Sequence, residues 1–299
     1  MEKNFIENIL IDISPLEPNL KLYNYSESSD SANFYQNQFS TDAVMSKEEK
    51  PDFSKVPKEM NELMAFLKKN VDEDAIVVEL GGSRYQHRSG YPNHVFKNYL
   101  PLDISYSSIK GYVEMYNRYG VVADACKLPF KDNSVDVFFT HTFLEHPLKP
   151  ENVLLEINRV LKPGGYVIHS DAWNCRWWQR YGIVGIKKYS QLNFKEKMIY
   201  CVAKITEFKL FRFPLIILHR FHRILFNSTT KSVSLMYKKL KPNYTLYLYC
   251  DEDAASSIDP IDVMLFYNSR NYKSIPNYSF VNKLFFRNLN IYFQKSINK

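Results

Sequence analysis

The chain has 299 residues, 45 % of them hydrophobic, with 39 Lys and Arg against 32 Asp and Glu, a net charge of +7. That length can bury a sizeable core as one large domain, or as one domain carrying an insertion. It holds no apolar run of the roughly 18 to 20 residues a membrane span needs, no signal-peptide pattern at its start, and four scattered cysteines without a CxxC pair, which excludes a membrane-embedded, secreted or zinc-ribbon reading.

A cytoplasmic protein is therefore expected. The charge is segregated along the chain. Residues 1–50 hold 4 Lys and Arg against 9 Asp and Glu, whereas residues 171–250 hold 15 against 3.

Residues 1–55 are polar and rich in Ser, Asn and Asp, too poor in apolar residues to offset ordering entropy unaided. They read as a loose extension, with Phe34 to Phe39 as a candidate lid. Met60, Leu63, Met64 and Leu67 then repeat at helical spacing after Pro57. Ala75-Ile-Val-Val-Glu-Leu80 reads as a buried strand that breaks at Gly81-Gly82 into a tight loop. A short apolar run ending at Asp103 follows, then a helical pattern through Ile109, Val113 and Tyr116, and then Gly120-Val-Val-Ala-Asp124 as another strand. Val135 to Thr140 is a further strand. Val153, Leu154, Ile157, Val160 and Leu161 form a helical stripe after Pro150, and Lys162-Pro-Gly-Gly165 turns into Tyr166-Val-Ile-His-Ser170.

Alternation of this kind predicts an α/β fold, a Rossmann-like doubly wound sheet with helices on both faces and ligands at the carboxyl ends of the strands. Glu79, Asp103 and Asp124 would share that rim. Residues 56–172 and 251–299 form the expected core, closing with a capped helix from Asp259-Pro260, a strand near Asn271 to Ile275, and Leu289 to Gln294 as an antiparallel edge strand. Between them, residues 173–250 form a basic, aromatic helical insertion. One stripe there is Phe194, Met198, Ile199, Val202, Ile205 and Phe208. Another is Ile217, Leu218, Phe221, Ile224 and Leu225, with His219, Arg220, His222 and Arg223 opposite.

A dinucleotide fingerprint is absent, since Gly81-Gly-Ser-Arg-Tyr-Gln86 lacks the third glycine and no helical period follows it. A nucleoside held by ribose and base is what the rim acids suit. Glu79-Leu-Gly-Gly-Ser, Leu102-Asp-Ile-Ser105, Ala123-Asp-Ala-Cys-Lys-Leu-Pro-Phe130, Leu144-Glu-His146 and Arg159-Val-Leu-Lys-Pro-Gly-Gly165 together resemble, in order and spacing, the motifs of class I S-adenosylmethionine-dependent methyltransferases. The resemblance implies a seven-stranded, mostly parallel sheet with an antiparallel last strand, and S-adenosylmethionine as cofactor. It implies Gly81 and Gly82 beside the methionine moiety, with Glu79 and Ser83 in the same loop. Asp103 and Ile104 would meet the ribose, Asp124 and Ala125 the adenine, and Thr140 and His141 the sulfonium. Ser83 and Tyr85 depart from the family's glycines.

The acceptor side is less marked. His146, His141, His169 and Asp171 are candidate bases, His146 foremost, with Trp173 a further acceptor contact. The basic insertion suits a cap over an anionic small-molecule or glycan acceptor, such as a sugar phosphate or a nucleotide-linked or lipid-linked sugar, with Trp173, Trp177 and Trp178 stacking on sugars. Asp251 to Pro260 with Phe266 to Arg270 resembles tails of bacterial methyltransferases associated with surface polysaccharide biosynthesis. The same segment also fits RNA, or an inner membrane surface met by the helix at 211–226, or a non-catalytic binding protein on this fold. No metal is implied.

Overall fold

The computed structural model describes residues 3–11, 15–17, 20–23, 33–35, 58–82, 95–178, 181, 188–227, 232–244 and 252–297. The predicted strands form in chain order as β3 (Ile76–Leu80), β4 (Asn98–Asp103), β5 (Gly120–Ala123), β6 (Val135–His141) and β7 (Leu161–Ser170). All five run parallel, in the spatial order β5-β4-β3-β6-β7. The chain closes with β10 (Tyr272–Ile275) and β11 (Asn290–Lys295), and β11 inserts antiparallel between β7 and β10. The expected edge position of residues 289–294 is thus corrected, because β10 takes the edge and β11 pairs on both sides. The strand order reverses beside β3, which puts a ligand crevice at its carboxyl end.

Alternate residues of each strand enter different cores. Val77, Val137 and Phe139 pack with Met60, Leu63, Met64 and Leu67 of α2 (Lys58–Asn70) and with Tyr112 of α3 (Tyr106–Tyr116). Val78, Leu100 and Phe138 pack on the other face with Val153, Leu154 and Ile157 of α4 (Pro150–Val160). Ser105 caps α3, and Asp259 caps α7 (Pro260–Asn268) by accepting from the Ile261 amide at 2.9 Å. Lys162 to Gly165 loops out of β7, whose pairing jumps from Leu161 opposite Val135 to Tyr166 opposite Val137.

Two segments depart from the sequence reading where they are described. The first lies within residues 1–55. α1 (Lys3–Ile9) sends Ile6 and Ile9 into the core, and β2 (Leu20–Tyr23) adds parallel to β5, with β1 (Pro15–Glu17) outside it. Among the described residues the sheet has nine strands, the seven expected with β1 and β2 added. A scattered apolar residue such as Leu20 suffices because an existing sheet edge supplies its partners.

The second concerns the insertion, whose described part is the helix pair α5 (Phe194–Glu207) and α6 (Lys209–Asn227), followed by β8 (Tyr237–Lys239), which pairs with β9 (Ser256–Ile258). The faces of α6 depart in part from the sequence reading, although Ile224 is buried and His222 exposed as read. Arg220 and Arg223 are buried and Leu218, Phe221 and Leu225 are exposed. The cause lies in α7, whose residues Pro260 to Tyr267 are all buried, Asp262 and the cap Asp259 among them. Buried carboxylates need cationic partners. Arg220 Nε bonds both oxygens of Asp259 at 3.0 Å, and Arg223 Nε lies 2.5 Å from Asp262 Oδ1.

Candidate active site

Gly81 adopts φ 76°, the left-handed region that glycine enters without strain. Its amide and that of Gly82 both donate to the Leu102 carbonyl, at 2.8 and 3.2 Å. A Cβ on Gly81 would fall 2.5 Å from Phe143 Cδ2, and one on Gly82 2.7 Å from Pro101 Cβ. Both glycines are therefore required by close packing of the turn on β4 and on the segment after β6. Glu79 does not line the rim. It is fully buried, and its Oε2 accepts from the Tyr99 hydroxyl. Ser83 and Tyr85 lie outside the described residues.

Asp103 and Asp124 end adjacent strands and share one local geometry. Asp103 Oδ1 accepts from the Ser105 amide and Asp124 Oδ1 from the Cys126 amide, each at 2.8 Å. Each carboxylate is thereby held just past its strand. Burial pushes the Asp103 carboxyl up to about 7, against opposing hydrogen bonds from the backbone and the nearby His146. Ile104 is half-buried beside it, and Ala125 is buried next to the exposed Asp124. This pair matches the acceptor pattern that a ribose diol and an exocyclic amine require.

Thr140 and Asp171 lie beneath the surface that they were expected to line. Both are buried, and the Thr140 hydroxyl donates to Asp171 Oδ2 at 2.7 Å while lying 2.8 Å from His169 Nδ1. Asp171 Oδ1 accepts from the amides of Phe143 and Leu144 at 3.0 and 3.1 Å. Although burial raises the Asp171 carboxyl, these donors and His169 hold it below the usual carboxylate range. Its work is to fix the turn that presents Glu145 and His146. His169 is buried between that network and Tyr267, 3.2 Å from its hydroxyl. His141 is half-buried, its Nδ1 lying 3.3 Å from Ser170 Oγ.

His146 has the acid partner that the candidate base needs. Its side chain is 20 % exposed, and its Nδ1 lies 2.9 Å from Asp253 Oδ2, with Asp253 1 % exposed. Tyr35 donates its hydroxyl to the same oxygen and stands edge-on to the His146 ring, centroids 6.0 Å apart. Burial alone would raise Asp253, but His146 and Tyr35 hold it below its ordinary value. The Tyr35 carbonyl also accepts a 3.4 Å bond from Ser105 Oγ, beside Asp103. Of the candidate lid, Phe34 packs on Tyr244 and Tyr35 lies against the site, while residues 36–39 are outside the described residues.

Sequence reasoning placed Tyr35 only within the candidate lid and missed Asp253, 218 residues further on. The acidic run at Asp251-Glu-Asp253 was the one available signal. Of the tryptophans, Trp173 donates to the Leu289 carbonyl at 2.7 Å, Trp178 is buried under Arg176, and Trp177 is 46 % exposed.

Residues 79–169, from the end of β3 to the end of β7, match the family model described as a methyltransferase domain. This segment is a methyltransferase domain. S-adenosylmethionine is the methyl donor of such domains, and Asp103, Asp124 and the glycine turn are the groups here that suit it. The likenesses to individual proteins are partial. A malonyl-acyl-carrier-protein O-methyltransferase of Marinomonas sp. is 32 % identical over 124 residues, 40 % of this chain and 44 % of that protein. A phthiotriol/phenolphthiotriol dimycocerosates methyltransferase 1 of Mycobacterium ulcerans is 34 % identical over 98 residues, 30 % of this chain and 33 % of that one. The chain thus spans less than half the length of these relatives. Among solved structures, the YcgJ protein of Bacillus subtilis overlaps 38 % of this chain and 51 % of its own, with 18 % identity and a TM-score of 0.34.

Proposed function

We propose that the protein transfers a methyl group from S-adenosylmethionine to an oxygen of an anionic small-molecule or glycan acceptor, such as a sugar phosphate or a nucleotide-linked or lipid-linked sugar. The observation that carries this reading is the His146–Asp253–Tyr35 cluster standing beside Asp103 at the methyltransferase domain's strand ends. S-adenosylmethionine supplies an electrophilic methyl on its sulfonium. The chain's residues have to align the acceptor, remove its proton and exclude water.

Asp253 beside Nδ1 favours the tautomer that carries its proton there, which leaves Nε2 of His146, 3.7 Å from the buried Glu145 Oε1, as the basic nitrogen, and that second carboxylate would favour its protonation. An acceptor hydroxyl in hydrogen-bond reach of Nε2 would give its proton to that atom as the C–O bond forms. Asp253 would then stabilise the imidazolium, and Tyr35 would keep Asp253 oriented and dry. The anionic character of the acceptor is supported by the basic surplus of residues 171–250, reduced by the internal pairing of Arg220 and Arg223. The relatives named for a carrier-borne malonyl group and for a lipid support an acceptor presented on a tail.

The test is methyl transfer from radiolabelled S-adenosylmethionine into fractionated bacterial extract. Label is expected in the phosphorylated-sugar or lipid-linked-sugar fraction. Label confined to RNA, to protein or to neutral lipid would contradict the acceptor class.

A further inference from the structure

The face of α6 turned away from the core is apolar. At about 100° per residue, Leu215, Leu218, Phe221, His222, Leu225 and Phe226 occupy one continuous arc, and all six are exposed. Leu215, Leu218 and Phe226 are 68, 64 and 68 % exposed. Opposite them, Arg220 and Arg223 are buried in their pairs with Asp259 and Asp262. A soluble helix ordinarily does the reverse. α5, which packs against α6, repeats the pattern. Phe194 is 81 % exposed, and Met198, Ile205 and Phe208 continue its stripe at intervals of three, four and seven residues. Lys195, Lys197 and Lys204 flank that stripe on either side.

We infer that the α5–α6 pair is a docking surface for an anionic lipid bilayer, with both helices lying in the interface plane. An apolar stripe edged by lysines, as on α5, is the form of an interfacial helix, whose apolar face enters the acyl boundary while its cations meet the headgroups, and the exposed stripe of α6 extends that apolar face. Charge selects this occupant over a second copy of the chain. Apart from the buried, paired Arg220 and Arg223, residues 188–227 hold six Lys and Arg against two Asp and Glu, so two such faces repel each other and an anionic surface attracts both. No helix among the described residues is long and apolar enough to cross a membrane, so the contact is one of adsorption. The inference stands on this face alone and does not depend on the acceptor proposed above.

Co-sedimentation of the full chain with vesicles tests it, using phosphatidylcholine alone and phosphatidylcholine with about a third phosphatidylglycerol. The wild type should pellet with the anionic vesicles and stay in solution with the neutral ones. Leu218→Ser with Leu225→Ser, at exposed positions, should keep the wild-type melting profile and lower the partition coefficient at least tenfold. Lys195→Gln and Lys204→Gln should each lower it about fivefold. Failure to bind either vesicle would overturn the inference, as would anionic binding that the serine pair leaves unchanged, since lysines alone would then account for it. Sedimentation velocity without lipid completes the test. A dimer dissolved by the serine pair, together with unchanged lipid binding, would assign the face to self-association.

Discussion

Asp103 links the protonation of this protein to its ligand. With its carboxyl raised from the ordinary 3.8 to about 7, the folded state holds a proton that the unfolded chain has lost. Stability should therefore fall as pH rises from about 4 towards 7, the direction linkage requires when the native state binds more protons. Asp103→Asn retains an acceptor for the Ser105 amide and removes the ionisation. It should melt above the wild type at pH 8, by a smaller margin at pH 5.5 and together with it near about pH 3, and a margin that does not grow with pH would show that Asp103 carries no such strain. His146→Ala should lower kcat by about 10² to 10⁴ if His146 is the base, with the affinity for S-adenosylmethionine unchanged. Asp253→Asn should also lower kcat and shift the acid limb of the pH profile. A fall in cofactor affinity alone, with kcat intact, would assign these residues to binding. The strand-end acids were legible because period-two strands announce where they stop. The partners of His146 were not, because Tyr35 and Asp253 meet it only through the tertiary fold.

At the level of elements, α6 gives the clearest lesson on what periodicity can say. Its apolar and basic positions were legible, but not that Arg220 and Arg223 turn inward with Ile224, because that depends on the carboxylates of α7. Arg220 additionally donates to the carbonyls of Leu284 and Phe286, at 3.1 and 2.8 Å, tying α6 to the segment before β11. Arg220→Met would leave Asp259 charged and buried and those carbonyls without this donor. The expected loss is about 3 to 5 kcal/mol in urea denaturation, the range for breaking one half of a buried pair. A loss under about 1 kcal/mol, as for a surface pair, would mean that the pairing does not hold α6 to α7. The glycine turn was legible for a similar reason to the rim acids, but its meaning differs. Phe143 and Pro101 require Gly81 and Gly82 sterically, whatever ligand approaches them.

For the whole molecule, the alternating order of strands and helices was enough to read the central parallel sheet and the antiparallel return. It could not reveal that β1 and β2 widen the sheet, because the few apolar residues of that stretch have partners only once β5 exists. Charge segregation also needed the structure for its meaning. Part of the basic surplus neutralises α7 internally, and Lys195, Lys197 and Lys204 edge the apolar stripe of α5. The central claim is that the β3–β7 rim binds S-adenosylmethionine through Asp103. Titration calorimetry at pH 8 tests it most directly. The wild type should bind S-adenosylmethionine at one site, and Asp103→Ala should bind at least tenfold more weakly. No heat of binding from the wild type, or an affinity that Asp103→Ala leaves unchanged, would contradict it.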